Sequence, residues 1–216
     1  MGKTLIGIAG CHKFWERANG QRQTWIKDVG SAADVRFFLG TPHSGIPAAG
    51  EVWLDCPDGY EERKQKVMGM IKWALDENYD YLWKVDDDVY LRPERLLSLD
   101  AYDYCGAITQ NRTVFSGAIY GLSRASMEKL LMPDTRIDQK FEDIWVWNRL
   151  TELGVKPTDM AGPDGFNGRF RMTHERGKPV PVGQETASRT NDVIATWEHQ
   201  TPDDMQKVHA IFQVGA

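Results

Sequence analysis

The sequence predicts a single α/β domain with a mostly parallel central sheet, flanked by helices and carrying a small antiparallel part. Three observations predict it. Short apolar runs alternate with a helical pattern through the first half, in the order β-α-β-β-α-β. The run Tyr81-Leu82-Trp83-Lys84-Val85 reads as a central strand and enters Asp86-Asp87-Asp88, the place where open α/β sheets bind ligands. The 216 residues, 41% apolar and 26% charged, suit one domain with a sizeable core and exclude disordered, collagen-like and coiled-coil chains.

Taken in order, Thr4 to Ala9 is an apolar run ending in Gly10, the form of a buried strand. Phe14 to Asp28 is expected to hold a helix. Val35 to Gly40 and Glu51 to Leu54 are the second and third strands. Asp58 with Glu61 three residues on has the form of a capping box, opening a helix that runs to about Asn78. Val67, Met70, Ile71, Ala74 and Leu75 give that helix one apolar face. Tyr104 to Thr109 and Val114 to Leu122 are expected to pair antiparallel. Ser123 caps a short helix to Leu131, and Phe141 to Leu153 is another, stopped by Gly154. Gly162 to Gly183 is rich in Gly and Pro and reads as a long loop. Thr201-Pro202 opens a last helix ending near Phe212. The domain divides into a half at about 1–110 and a second at about 111–216.

The net charge is −5, from 26 basic and 31 acidic residues, which argues against general charge-driven nucleic-acid binding. No apolar run approaches the roughly 20 residues of a membrane span, so no membrane span is expected. The N-terminal stretch has neither a secretory nor a transit pattern, so the expected location is cytoplasmic. Cys11, Cys56 and Cys105 are dispersed and odd in number, and they are expected to be buried free thiols rather than a disulfide framework or a zinc knuckle.

The Asp triplet is the strongest chemical signal. In an extended chain Asp86 and Asp88 would share one face and Asp87 the other. Two carboxylates about 4 Å apart repel by roughly 1 kcal/mol in water and about 4 at an effective dielectric of 20. Such a strand end needs a counter-charge, and a divalent cation with oxygen ligands, Mg²⁺ or Mn²⁺, supplies it while leaving room for phosphate oxygens. Glu142-Asp143 forms a second acidic pair at a helix start, where a general base would stand beside the metal site. Acids also favour helix starts for electrostatic reasons alone. His199 lies just before the last helix and gains weight if a metal site lacks a ligand.

These motifs, in order, resemble the β-1,3-glycosyltransferases, the galactosyl- and N-acetylglucosaminyltransferase group that includes the Fringe enzymes. Arg22-Gln23-Thr24-Trp25 resembles their R-x-T-W motif. Phe37-Phe38-Leu39-Gly40 resembles their FLLG strand, and Asp58-x-Tyr60 with Lys66 resembles their D-x-Y…K helix. Lys84-x-Asp86-Asp87-Asp88-Val89 is similar to their K-x-DDD-V strand. Ser116 to Ser123 resembles their G-x-x-Y-x-L-S segment, Glu142-Asp143-Ile144-Trp145-Val146 their E-D-V-Y-V motif, and His199 their late histidine. The matches extend over roughly residues 17–212.

The resemblance implies a GT-A fold, a nucleotide-sugar donor, UDP-linked in the first instance, and inversion at the anomeric carbon. It implies Asp88 as direct metal ligand and His199 as the other. Asp86 would touch the metal through water or hold the ribose, and Asp87 would lie on the donor side with Arg22 and Lys66. Asp143 would be the catalytic base, with Glu142 and Trp145 beside the acceptor. Trp147 stands where the family pattern has glycine and is expected to reshape the pocket near Asp143. The chain lacks the anchor, stem and cysteine pattern of the animal enzymes and is expected to be close to a minimal catalytic domain. The stretch from Gly162 to Arg189 carries five basic and three acidic residues. Arg169 and Arg171 in it are candidates for a lid over the donor phosphates or for contact with an anionic acceptor. The acceptor stays open among a glycan, a small molecule and a hydroxymethylated DNA base. A metal-dependent phosphohydrolase and a non-catalytic carbohydrate-binding module are the competing readings.

Overall fold

In the computed structural model, residues 2–41, 45–59, 61–99, 102–108, 114–133, 141–160, 170–172, 174–175, 178–179, 195–197 and 201–213 are described. β1 (Thr4–Ala9) leads through a 3-10 turn (His12–Phe14) to α1 (Trp15–Gln23) and α2 (Ile26–Val29). β2 (Asp34–Gly40), β3 (Glu51–Leu54), α3 (Arg63–Asp76) and β4 (Tyr81–Asp86) follow. Next come β5 (Tyr90–Leu91), α4 (Pro93–Leu96), β6 (Tyr104–Ile108), β7 (Phe115–Ser123), α5 (Arg124–Leu130) and α6 (Glu142–Glu152). The last elements are β8 (Thr158–Asp159), β9 (Phe170–Met172), β10 (His174–Glu175), β11 (Lys178–Pro179), β12 (Ala195–Trp197) and α7 (Pro202–Gln213).

Seven strands form one sheet in the order β3-β2-β1-β4-β7-β6-β8. β3, β2, β1 and β4 are parallel. β7 runs antiparallel to β4 and β6, and β8 is parallel to β6. The expected parallel block and antiparallel pair are therefore both present, joined at β4. A smaller sheet, β5-β12-β9, stands beside it, and β10 pairs with β11.

The sheet separates two apolar layers, and the period of two along β4 decides what faces each. Tyr81, Trp83 and Val85 pack with Trp25, Val29 and the α7 residues Met205, Val208 and Phe212. Leu82 packs on the other side with Val67, Met70 and Ile71 of α3 and Trp145, Val146 and Leu150 of α6. Lys84 and Asp86 fall on this second face by the same alternation. They meet the start of α6 there, and that placement builds the site.

Three elements differ from the sequence expectation. The helix expected from Phe14 to Asp28 breaks at Thr24, whose hydroxyl donates to the Gly20 carbonyl at 2.7 Å. The break turns fully buried Trp25 into the core, where its indole N–H donates to the Val89 carbonyl at 3.1 Å. Asp58 caps no helix, because α3 begins only at Arg63. Its carboxylate instead accepts the backbone N–H groups of His12 at 2.6 Å and Gly40 at 2.7 Å, tying the ends of β1 and β2 together. The expected loop from Gly162 contains β9, β10 and β11. β9 forms because it pairs with β12, some 25 residues further on, a partner that local pattern does not reveal. All three cysteines are free, but only Cys105 is buried, while Cys11 and Cys56 are half-exposed. Burial, and then the Asp58 hydrogen bond, push the Cys11 thiol up.

The chain around Asp58 leaves no room at the end of β2. A methyl group on Gly40 would lie 2.6 Å from Asp58 Cα and 2.7 Å from the Cys56 carbonyl oxygen, both backbone atoms. Gly40→Ala is expected to destabilise the protein by about 2–3 kcal/mol in urea unfolding, the cost of overpacking a site that cannot move aside.

Candidate functional site

β4 ends at Asp86. Asp87 and Asp88 form a turn closed by the Val89 N–H donating to the Asp86 carbonyl at 3.3 Å, so the extended alternation stops before Asp88. Each of the first two acids has a cationic neighbour. Asp86 meets Lys84 Nζ at 2.5 Å and Arg63 at 3.6 Å, and Asp87 meets Arg17 at 3.3 Å. These cations do not offset the crowding. Burial, and next the charge of Asp86, push Asp87 up to about 6 against the pull of Arg17 and Arg63. Burial, Asp86 and Asp87 push Asp88 up to about 7.

Lys84 is the hub. It is 1% exposed. Its ammonium also pairs with Glu142 Oε1 at 3.4 Å and donates to the Gly117 carbonyl. Burial pulls its pKa down, but Asp86 and Glu142 outweigh burial and the net shift is upward. Tyr120 stands directly across from Lys84 in the β4–β7 register, and its hydroxyl donates to Glu142 Oε1 at 2.9 Å. Burial raises Glu142 more than Lys84 lowers it. One buried lysine thus connects the Asp turn of β4 to the acidic start of α6.

Asp143 follows Glu142 in the first turn of α6, 8% exposed, with Oδ1 accepting the Ile144 N–H at 2.8 Å. Gly117 lets this turn approach β7, since a methyl there would lie 3.2 Å from Glu142 Oε2 and 3.6 Å from Asp143 Oδ2. Trp145 is buried in the core with the Lys64 ammonium 5.1 Å from its ring centroid. Trp147 packs edge-on against Phe115, with ring centroids 5.0 Å apart, and against Tyr104 at 6.1 Å. Its ring is taken up by this aromatic cluster, one helical turn beyond Asp143.

A groove opens at the carboxyl ends of β1 and β2 beside α1. Phe14, Trp15, Arg22, Phe37, Glu51 and Asp87 are among the residues lining it. The Arg22 guanidinium lies 4.1 Å from the Phe37 ring centroid and pairs with Glu51 at 3.1 Å. Trp15 is 60% exposed at this groove, an aromatic face open to solvent. Lys66 sits beneath, 3% exposed, donating to the Gly10 carbonyl at 2.5 Å and to Asp58 Oδ1 at 3.0 Å. Of the two donor-side cations expected from sequence, Arg22 lines the groove and Lys66 braces its floor.

His199, Arg169 and Tyr60 lie outside the described residues, and Arg171 is described only as a strand position in β9. β12 runs antiparallel to β5, with Ala195 opposite Leu91 and Thr196 opposite Tyr90. β12 therefore ends at Trp197 on the Val89 side of β5. Sequence reasoning missed Arg63 and Gln21, and it met Arg17, Lys84 and Tyr120 in or beside the motifs without giving them a task. Period two on β4 was the available signal for Lys84. The others depend on tertiary approach.

The donor set at the turn is carboxylate oxygen, which suits a hard divalent cation, and the mutual repulsion of Asp86, Asp87 and Asp88 would be relieved by one. Among the described residues no group of three or more His, Cys, Asp or Glu side chains is arranged to hold a metal ion, and His199 lies outside them. Among the described residues no helix is long and apolar enough to cross a membrane.

Residues 50–106, from β3 through the Asp turn into β6, match the Galactosyltransferase family model. Several solved structures share the fold. A glycosyltransferase involved in the glycosylation of the major capsid of PBCV-1 superposes with a TM-score of 0.58 at 7% identity, over 96% of this chain and 99% of that one. A protein of Desulfovibrio desulfuricans G20 described as a nucleotide-diphospho-sugar transferase gives 0.51 at 11% identity, over 74% and 80%. The catalytic domain of Drosophila β1,4-galactosyltransferase 7 gives 0.50 at 14% identity, over 76% and 67%. At these identities the likeness is one of fold, and the fold is GT-A-like. The match to the Galactosyltransferase family model supports a glycosyltransferase enzyme.

Proposed function

We propose that this protein is a metal-dependent, inverting glycosyltransferase that moves a hexose from a UDP-linked sugar to a hydroxyl acceptor. One observation carries the reading: buried Lys84 joins the Asp86–Asp88 turn to Glu142 and so brings Asp143 to the same end of the sheet. The aromatic groove beside Asp87 supplies a place for the nucleotide, with Arg22 on its wall.

In this reading Asp143 takes the proton from the acceptor hydroxyl as that oxygen attacks the anomeric carbon. The bond from that carbon to the diphosphate oxygen breaks on the opposite face, the electron pair leaves with UDP, and the configuration inverts. Asp88, with Asp86 and His199, would hold Mn²⁺ or Mg²⁺, whose charge offsets that of the departing diphosphate. Glu142 is engaged by Lys84 and Tyr120 and holds the first turn of α6, from which Asp143 acts as the base. Arg169 and Arg171 are assigned to the phosphates or to an anionic acceptor. The acceptor is a hydroxyl of a glycan or small molecule, with a hydroxymethylated DNA base as the alternative.

The test is UDP release from a panel of nucleotide sugars with Mn²⁺. One donor is expected to turn over, and EDTA or Asp88→Ala should abolish the release. Asp143→Asn should slow transfer by about 100-fold, the lower range for a lost general base, with donor affinity within a few-fold of wild type. If no nucleotide sugar binds in a metal-dependent way, the reading is wrong.

A further inference from the structure

The Asp turn is held from below by a residue outside every motif of the site. Gln21 lies on α1 and is fully buried. Its side-chain amide donates one N–H to the Asp86 carbonyl at 3.1 Å and the other to the Val89 carbonyl at 2.8 Å. These are the first and last carbonyls of the four-residue turn that carries Asp87 and Asp88. Trp25, four residues further on and past the break at Thr24, donates to the same Val89 carbonyl at 3.1 Å. Gln21 Oε1 is buried with no hydrogen-bond partner among the described residues.

That last fact is the informative one. A buried amide with an unmade bond destabilises the fold, and an apolar side chain of similar length would fill the same space without that penalty. What such a side chain would lack is the pair of N–H groups that spans the turn. The second face of α1 reinforces the arrangement. Gly20 lets α7 come so close that a methyl there would lie 3.2 Å from Pro202 Cα, so α1 is fixed on its far side as well.

We infer that Gln21 is a positioning residue. By bridging the Asp86 and Val89 carbonyls it sets the backbone of the turn so that the Asp88 carboxylate, beside that of Asp86, faces a divalent cation. The inference rests on the metal-dependent reading above, and its test separates the two. MnCl₂ alone is titrated into wild type, Gln21→Met and Asp88→Ala, and free Mn²⁺ is read by electron paramagnetic resonance. Gln21→Met is expected to keep its circular dichroism spectrum and a thermal midpoint within about 3 °C of wild type. It should bind Mn²⁺ about tenfold more weakly, the scale of losses when a group that orients metal ligands is removed. Asp88→Ala should not bind it.

Wild-type Mn²⁺ affinity in Gln21→Met, beside lost binding in Asp88→Ala, overturns the positioning role and leaves the enzyme reading intact. No Mn²⁺ binding by wild type overturns both. If Gln21→Met fails to fold, Trp25→Phe decides, since it removes the other N–H on the Val89 carbonyl and keeps an aromatic ring. Weakened Mn²⁺ binding there supports the tethered turn, and unchanged binding overturns it.

Discussion

Lys84→Met is expected to destabilise the protein by about 3–5 kcal/mol, the cost of stripping a buried charge cluster of its counter-ion. The side chain lengths match, so packing changes little and charge is the variable. In wild type one ammonium, 1% exposed, serves Asp86, Glu142 and the Gly117 carbonyl. Without it Glu142, 4% exposed, keeps only the Tyr120 hydroxyl among its cationic or hydrogen-bonding neighbours on β4 and β7. Burial already holds the Glu142 pKa above the ordinary carboxylate value, with Lys84 as the chief opposing influence. Its removal drives the pKa further up. The sign of the pH effect follows. Below about pH 4.3 Glu142 is protonated in both folded and unfolded chains and adds no penalty. As pH rises past that value the unfolded chain ionises first, so the deficit of the variant grows toward neutrality. Urea unfolding at pH 4 and pH 7 reads this directly. Lys84→Met with Glu142→Gln should recover at least about 1 kcal/mol relative to the sum of the single changes, because the two residues are in contact. Additive losses would mean that Lys84 acts on Asp86 alone.

The same lysine shows where sequence reading ends. β1 and the antiparallel pair β6–β7 are legible in the sequence because a buried strand needs an apolar run, and these runs are bounded by Gly, Pro or polar residues. The Asp turn is legible because three acids after such a run have few structural uses. Ser123 as a helix cap is legible too, and its hydroxyl accepts the Ser126 N–H at 3.3 Å. What the sequence hides is who stands opposite whom. Lys84 meets Glu142 across 58 positions, Gln21 meets Val89 across 68, and β9 pairs with β12. None of these leaves a local pattern, because each is made by packing one element on another. Asp58 is the instructive error. An acid followed three residues later by Glu fits a helix start, yet the carboxylate is recruited by two strand ends that local reading cannot bring near it. Trp145 and Trp147 follow the same rule, drawn into the core and an aromatic cluster by the apolar face of α6.

Asp58→Ala is the second large effect, and it should act on the groove through the fold. Asp58 accepts from His12 N at 2.6 Å, from Gly40 N at 2.7 Å and from Lys66 Nζ at 3.0 Å. Burial alone would raise its pKa, but the hydrogen bonds from Cys11, His12, Gly40 and Lys66 win and hold it below the ordinary value. Its alanine variant leaves a lysine 3% exposed without a counter-ion and two backbone N–H groups without an acceptor. We expect a loss of about 3 kcal/mol in urea unfolding. Asp58→Asn removes the charge and keeps one acceptor oxygen, so it can retain only one of the two backbone hydrogen bonds, which go to different carboxylate oxygens. The sign with pH is opposite to that of Glu142. A depressed carboxylate stabilises fully above its unfolded value of about 3.9 and loses that contribution as pH falls through the lower folded value. The gap between wild type and Asp58→Ala should therefore close in strong acid. Because His12 opens the turn after β1 and Gly40 ends β2, the two strands whose ends border the groove, UDP-sugar affinity should fall in the alanine variant even where it remains folded. Full donor affinity in folded Asp58→Ala would separate the groove from its floor, and the role of the β1 and β2 ends in nucleotide binding would have to be given up.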